Sequence, residues 1–211
     1  MMNKRLILVG GGGFGRELIN WSLDVAQAGL GPSITAFIDD NPAALDGFDY
    51  HLEYLGSIDQ YLPQPQDLFL MSIGDPTSKQ KIYQNLISRG AVFSQLIHPT
   101  AVIAGSAKLG EGVVVCPFAL VSADAVVGKM VAINVSSSVG HEVVLSDFCT
   151  LSAHVDLMGS VQIGKSVFFG SGARVLPKVT VKSRARIGAG ALIMRTVAEE
   201  SIMYAQPAKK L

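Results

Sequence analysis

Residues 139–175 read VGHEVVLSDFCTLSAHVDLMGSVQIGKSVFFGSGARV, and every sixth position from Val139 is large and apolar: Leu145, Leu151, Leu157, Ile163, Phe169 and Val175 follow in register. The same register runs back through Ile133, Val127, Val121, Val115 and Leu109 to Ile103, and forward through Val181 and Ile187 to Ile193. If about one residue in three of this composition qualifies, sixteen consecutive matches have odds on the order of ten to the minus eight. Four residues after each anchor stands a small or β-branched residue, from Ala107 and Val113 to Ala191 and Val197. Two inward positions per hexad describe one flat side of a narrow prism. Glycines directly after an anchor, at 110, 128, 140, 164, 170 and 188, are expected at tight corners where a side chain would strain the backbone.

Residues 5–97 have another rhythm, in which short apolar runs alternate with helical stretches, the signature of an α/β unit. Leu6–Val9 is expected as a buried strand, followed by the glycine run 10–15 and a helix carrying Leu18, Trp21 and Val25 on one face. Ile34–Ile38, Leu68–Ile73 and Val92–Ile97 are expected strands, and Pro76–Arg89 is an expected helix with Gly90 at its C-terminal cap.

The chain has 211 residues, with 17 basic and 17 acidic side chains and no dense Lys/Arg block, which argues against a nucleic-acid partner. Cys116 and Cys149 lack metal-cluster or redox spacing and read as reduced packing residues. Only four apolar residues follow Lys4 and Arg5 before the glycine run, too few for a signal-peptide core, and no apolar run is long enough to enter a membrane. A cytoplasmic location is the expectation.

Gly10, Gly12 and Gly15 fit G-x-G-x-x-G between a strand and a helix, where backbone N–H groups can hold phosphate, and Asp39 or Asp40 ends the next strand. The motif alone is a weak signal, and a plain tight strand-to-helix turn is the alternative reading. Fewer than 100 residues fall short of a two-halved dinucleotide fold, so NAD binding is not expected. His141, two residues after an anchor, has a side chain suited to proton transfer near neutral pH. Residues 18 apart stack if three hexads close a coil, which puts Ala123 and Gly159 on either side of it and sets Asp124, Glu142, Ser160 and Lys178 in the next column. The small neighbours leave room for reactants, and the Gly159 N–H is placed to meet a developing oxyanion.

Four segments, LILVGGGGFGREL at 6–18, FIDDN at 37–41, INVSSSVGHEVVLSDF at 133–148 and QPAKKL at 206–211, resemble the bacterial sugar O- and N-acetyltransferases of the hexapeptide-repeat group, of the sialic-acid O-acetyltransferase and UDP-4-amino-sugar N-acetyltransferase type. The resemblance implies an α/β Rossmann-like N-terminal subdomain over residues 1–97 that holds a nucleotide sugar. It implies a left-handed parallel β-helix of about five coils over 98–197, and a tail over 198–211. The N-terminal domain and the tail are expected to cap the ends of the prism. The resemblance further implies a homotrimer with acetyl-CoA lying between neighbouring helices, and no metal.

His141 matches the family's general base and Glu142 the acid beside it. Gly159, Ser171, Gly172, Ala189 and Pro207 are the expected acetyl-CoA contacts. Gly11, Gly13, Phe14, Asp39, Asp40, Ile73, Gly74 and Asn134 are the expected contacts of a UDP- or dTDP-linked 4-amino sugar. Thr150 departs from relatives that carry a second histidine there, which leaves the acceptor open, with sialic-acid O-acetylation as the alternative. A metal-dependent hydratase would need three converging histidines, and the repeat has only His141 and His154. A non-catalytic scaffold is disfavoured by His141 beside Glu142.

Overall fold

The computed structural model describes residues 4–206. Its first half is a parallel four-stranded sheet in the order β3-β2-β1-β4, built from β1 (Arg5–Val9), β2 (Ile34–Ile38), β3 (Glu53–Tyr54) and β4 (Asp67–Met71). The helix α1 (Gly13–Gln27) joins β1 to β2, and α2 (Pro76–Ser88) follows β4. β1 is buried on both faces, as its unbroken apolar run requires. Helix α1 begins at Gly13, so Gly15 lies inside it, and Gly29 just beyond its end takes φ +70°. Gly90 plays the same part after α2, with φ +88°.

The expected strand at Val92–Ile97 divides between two cores instead. Phe93 makes a single bridge to Phe69 and packs into the α/β half, whereas Leu96–Ile97 pairs with Val114–Val115 as the first strand of the prism. The prism thus begins before the expected boundary at Ile97, and it continues to Ile202–Met203.

Eighteen two-residue strands form three parallel sheets of seven, six and five strands, six coils in place of the five expected. The seven-strand face runs from Leu96–Ile97 to Ile202–Met203. The six-strand face runs from Val102–Ile103 to Leu192–Ile193, and the five-strand face from Lys108–Leu109 to Thr180–Val181. The winding is that of the left-handed β-helix. Pairs such as Ala132 with Val114 and Thr150 keep a register of eighteen. The last coil is two residues shorter, since Val197 bridges to Val181 and Met203 pairs with Ile187. The anchors and their +4 partners from Val113 to Val197 form one continuous core.

The corners overturn the expected reason for the glycines. Positive φ falls on the residue three after each anchor from Leu109 to Ile187, and most of these are not glycine: Asp124, Met130, Glu142, Phe148, His154, Ser160 and Lys178 all lie near +60°. Such a conformation costs about 1 kcal/mol or more. Each of these residues gains a bond to the preceding coil, as where the Ser160 N–H donates to the His141 carbonyl at 2.8 Å and the Lys178 N–H to the Gly159 carbonyl at 3.0 Å. The glycine directly after an anchor serves close approach: a Cβ at Gly170 would stand 2.6 Å from the Ala189 nitrogen, and one at Gly128 2.6 Å from the Asp147 nitrogen.

The α/β half docks on a flat face rather than capping an end. It covers the seven-strand face, where Val114, Ala132 and Thr150 are buried, and draws Met130 and Phe148 into a core with Tyr83 and Phe93. On the other side of its sheet, Val114 and Cys116 join Leu8 and Leu18. The inward residues of the first coil, Ile97, Ala101, Ile103, Ala107 and Leu109, stay partly exposed.

Candidate active site

His141 stands on the edge between the six-strand and five-strand faces, between Ser138–Val139 and Val144–Leu145. This edge is opposite the docked face. Its imidazole is 65% exposed and lies over Gly159, where a Cβ would come within 2.4 Å of Nε2. The stacking read from the sequence therefore holds, and the glycine is needed for room. Nδ1 faces Glu142 Oε2 at 3.6 Å, an ion-pair distance and not a hydrogen bond. With the proton placed on Nδ1, Nε2 carries the lone pair toward the open corner.

Glu142 is itself held, because the Ser160 hydroxyl donates to its Oε2 at 2.7 Å. That bond, and after it the charge of His141, keep the Glu142 carboxyl below the usual range. Lys178 adds a smaller pull in the same direction. The carboxylate is fixed by the next coil and remains beside the imidazole.

A second cluster forms at the C-terminal edge of the parallel sheet, between β1 and β4, where the order reverses and ligands of such sheets bind. Gly10 takes φ +99°, a Cβ there would come within 2.8 Å of the Ile73 and Ser72 side chains, and a Cβ at Gly15 would lie 2.3 Å from the Gly10 carbonyl oxygen. These two glycines close the turn. Gly12, Gly13 and Gly74 have open space where a side chain would be. Gly11 donates its N–H to Asp39 Oδ2 at 2.6 Å, and Asp39 Oδ1 accepts from the Asn41 N–H at 2.8 Å. Both Asp39 oxygens are thus used by the backbone, and its role is to brace the turn. Asp40 is exposed and accepts only the Ile58 N–H, at 3.0 Å, leaving one oxygen toward solvent. Phe14 is half-buried at the start of α1.

Gly11, Gly13, Phe14, Asp39, Asp40, Ile73 and Gly74 therefore share one edge. Asn134 lies on the edge between the seven- and six-strand faces, with its Oδ1 accepting the Val135 N–H, and Val135 packs against the α1 core. The expected acetyl-CoA contacts divide. Gly159 is beside His141, whereas Ser171, Gly172 and Ala189 lie on the same edge as Asn134, after Phe168–Phe169 and Arg186–Ile187. Pro207 lies outside the described residues. Thr150 is not beside His141: it is buried on the docked face, where its Oγ1 accepts from Lys79 Nζ at 2.7 Å.

Two contacts escaped the sequence reading. Asp75 caps α2 by accepting the Ser78 N–H at 2.9 Å and pairs with Arg186 of the prism at 3.1 Å. Lys79 is fully buried between the two halves. Its signal was present in the spacing, since Lys79, Tyr83 and Leu86 form one buried stripe of α2. Among the described residues, no group of three or more His, Cys, Asp or Glu is placed to hold a metal, and no helix is long and apolar enough to cross a membrane.

A parallel α/β domain with a glycine-rich turn, seated on a six-coil prism with a histidine on its free edge, defines the hexapeptide-repeat class of acyltransferase folds. Residues 5–86 match the PglD N-terminal domain, and the chain as a whole is similar to bacterial sugar acetyltransferases of this class. It is 25% identical over 171 residues, 79% of this chain and 75% of the relative, to a GDP-perosamine N-acetyltransferase of Escherichia coli O157:H7. A histidine-to-asparagine variant of the perosamine N-acetyltransferase of Caulobacter crescentus, solved with CoA and GDP-perosamine, superimposes with a TM-score of 0.86 at 28% identity, covering 97% of this chain and 95% of that one. The acetyltransferase domain of PglB from Neisseria gonorrhoeae, solved with acetyl coenzyme A, gives 0.85 at 29% identity over 99% and 100%.

Proposed function

We propose that the protein transfers an acetyl group from acetyl-CoA to the amine of a 4-amino sugar carried on a nucleoside diphosphate, a step in making surface glycans, with His141 as general base. The observation that carries this reading is a likeness spanning both halves of the chain, α/β domain and prism together, to a perosamine N-acetyltransferase with CoA and GDP-perosamine and to the PglB acetyltransferase domain with acetyl-CoA. The chain offers matching groups. The open Gly12–Gly13 turn at the start of α1 suits a diphosphate, and the free Asp40 oxygen suits a ribose or base donor. Gly159 leaves space beside the imidazole.

Acetyl-CoA supplies the acetyl group as a thioester. Nε2 of His141 takes the proton that the amine gives up as its nitrogen bonds to the acetyl carbon, and returns it to the departing sulfur. Glu142, held by Ser160, keeps Nδ1 protonated and stabilises the imidazolium.

The acceptor half and the base are on opposite sides of one chain, because the α/β domain covers the seven-strand face and His141 occupies the facing edge. The complete site is therefore read as formed between copies in a homotrimer. Exposed Val102, Leu120 and Leu192 on one free face, with Val126 and Val144 on the other, supply apolar surface for that contact.

The test is to incubate the protein with acetyl-CoA and GDP-, UDP- and dTDP-linked 4-amino sugars alongside sialic acids, scoring products by mass. Gain of one acetyl group on a nucleotide amino sugar is expected. Acetylation of sialic acid alone, or no acetylated product at all, would overturn the reading.

A further inference from the structure

Lys79 is the one lysine in the described buried core, 1% exposed, and no carboxylate bonds to it. Its Nζ donates to the Met130 carbonyl at 3.1 Å, the Cys149 carbonyl at 3.2 Å and Thr150 Oγ1 at 2.7 Å. Three donors meet three acceptors, which is the full capacity of an ammonium and more than a neutral amine can supply. Burial pushes its pKa down to about 7, while Cys149 and Asp75 work weakly against that shift. All three acceptors belong to the prism, and the lysine belongs to α2, whose N-terminus follows Gly74 at the ligand-binding edge of the sheet.

Burying a cation without a counter-charge is an expensive way to join two surfaces, and an apolar side chain of similar length would join them at lower cost. What the ammonium adds is direction. Apolar contacts between Tyr83, Phe93, Met130 and Phe148 tolerate sliding, whereas three convergent hydrogen bonds to acceptors on two successive coils are satisfied in only one arrangement.

We propose that Lys79 is a positioning residue that fixes how the α/β half is seated on the prism, and with it where the acceptor amine meets the His141 imidazole of a neighbouring copy. The functional part of this rests on the shared-site reading above. The seating itself does not.

The experiment compares the full-length protein with Lys79→Met and Thr150→Val. In Lys79→Met, kcat is expected to fall about 10- to 100-fold, the scale of a misplacement on the order of 1 Å. The KM for acetyl-CoA and calorimetric binding of the cognate nucleoside diphosphate should stay within twofold of the wild type, because neither the His141 edge nor the glycine turn is touched. Amide hydrogen exchange should quicken across α2 and residues 130–150. Thr150→Val removes one acceptor of the three, and a several-fold fall in kcat with the same exchange pattern is expected; it carries the test if Lys79→Met does not fold.

Wild-type kcat in the folded variants would overturn the proposal, and so would lost kcat with unchanged exchange in α2. Should the wild-type protein transfer no acetyl group, the acetyltransferase reading fails, and the exchange measurement still decides the seating.

Discussion

His141 and Gly159 behave as a unit, with the imidazole of one coil lying over the missing side chain of the next. His141→Ala is expected to lower kcat by roughly 10²- to 10⁴-fold while acetyl-CoA binding changes little, the range for loss of a positioned base. A folded variant with near-wild-type turnover would remove His141 from that role and direct attention to Glu142. Gly159→Ala is a finer probe. Its methyl group would meet only the far end of the imidazole, so the ring swings aside and the coil stays intact; kcat is expected to fall at least tenfold with an unchanged circular dichroism spectrum. Unchanged turnover would mean that Nε2 need not sit where the structure puts it. Both residues could be read in the sequence because an eighteen-residue register assigns vertical neighbours without coordinates. The clasp of Ser160 on Glu142 lay in the same column, but its direction depends on the left-handed backbone at both residues.

At the scale of elements, periodicity located nearly everything that repeats and misjudged what happens once. The anchors and their +4 partners from Val113 onward are buried as read. The segment Val92–Ile97 was misread because its two apolar ends serve two cores in turn, Phe93 in one and Leu96 in the other. The corner glycines were placed correctly and explained wrongly, since backbone approach between coils leaves no mark in a single hexad. The docking of α2 was hidden for a related reason: Asp75 and Lys79 lie far in the chain from Arg186 and Thr150, the prism residues that they meet. Asp75 offers a test of that contact. Its carboxyl is held below the usual range by the Ser78 N–H and, after burial works against this, by Arg186. Asp75→Ala is expected to cost about 0.5–2 kcal/mol at neutral pH, a few degrees in Tm. A carboxyl with a depressed folded-state pKa stabilises above its unfolded pKa and loses that contribution as pH falls through the folded value. The gap between wild type and variant should therefore close in strong acid, and a gap independent of pH would show that the charge contributes nothing.

For the whole molecule, the decisive fact is that the sheet edge with Asp40 and the edge with His141 are separated by the thickness of one prism. Asp40→Ala should raise the KM for the nucleotide sugar well above any change for acetyl-CoA, and equal changes would count against that division of labour. Co-expression gives a sharper outcome. If the protein is the trimer proposed above and chains assort at random, mixing His141→Ala and Asp40→Ala chains would bring an intact histidine to a neighbour's intact Asp40 at about a quarter of sites. At low sugar concentration the mixture should approach that fraction of wild-type activity, and a mixture no more active than the average of its parents would place the whole site within one copy.

The eighteen-residue register also carries a consequence for how such a gene can change. Duplication or loss of one coil's worth of codons returns every later side chain to its own face, so the prism can lengthen or shorten while the His141 edge stays an edge. A six-residue insertion is far more disruptive, because it turns all that follows by one face and would carry the edge of Ser171 and Ala189 around the prism. Length can therefore drift only in whole turns, except beyond Ile193, where the coil that lost two residues has no further coil in the described chain depending on its phase.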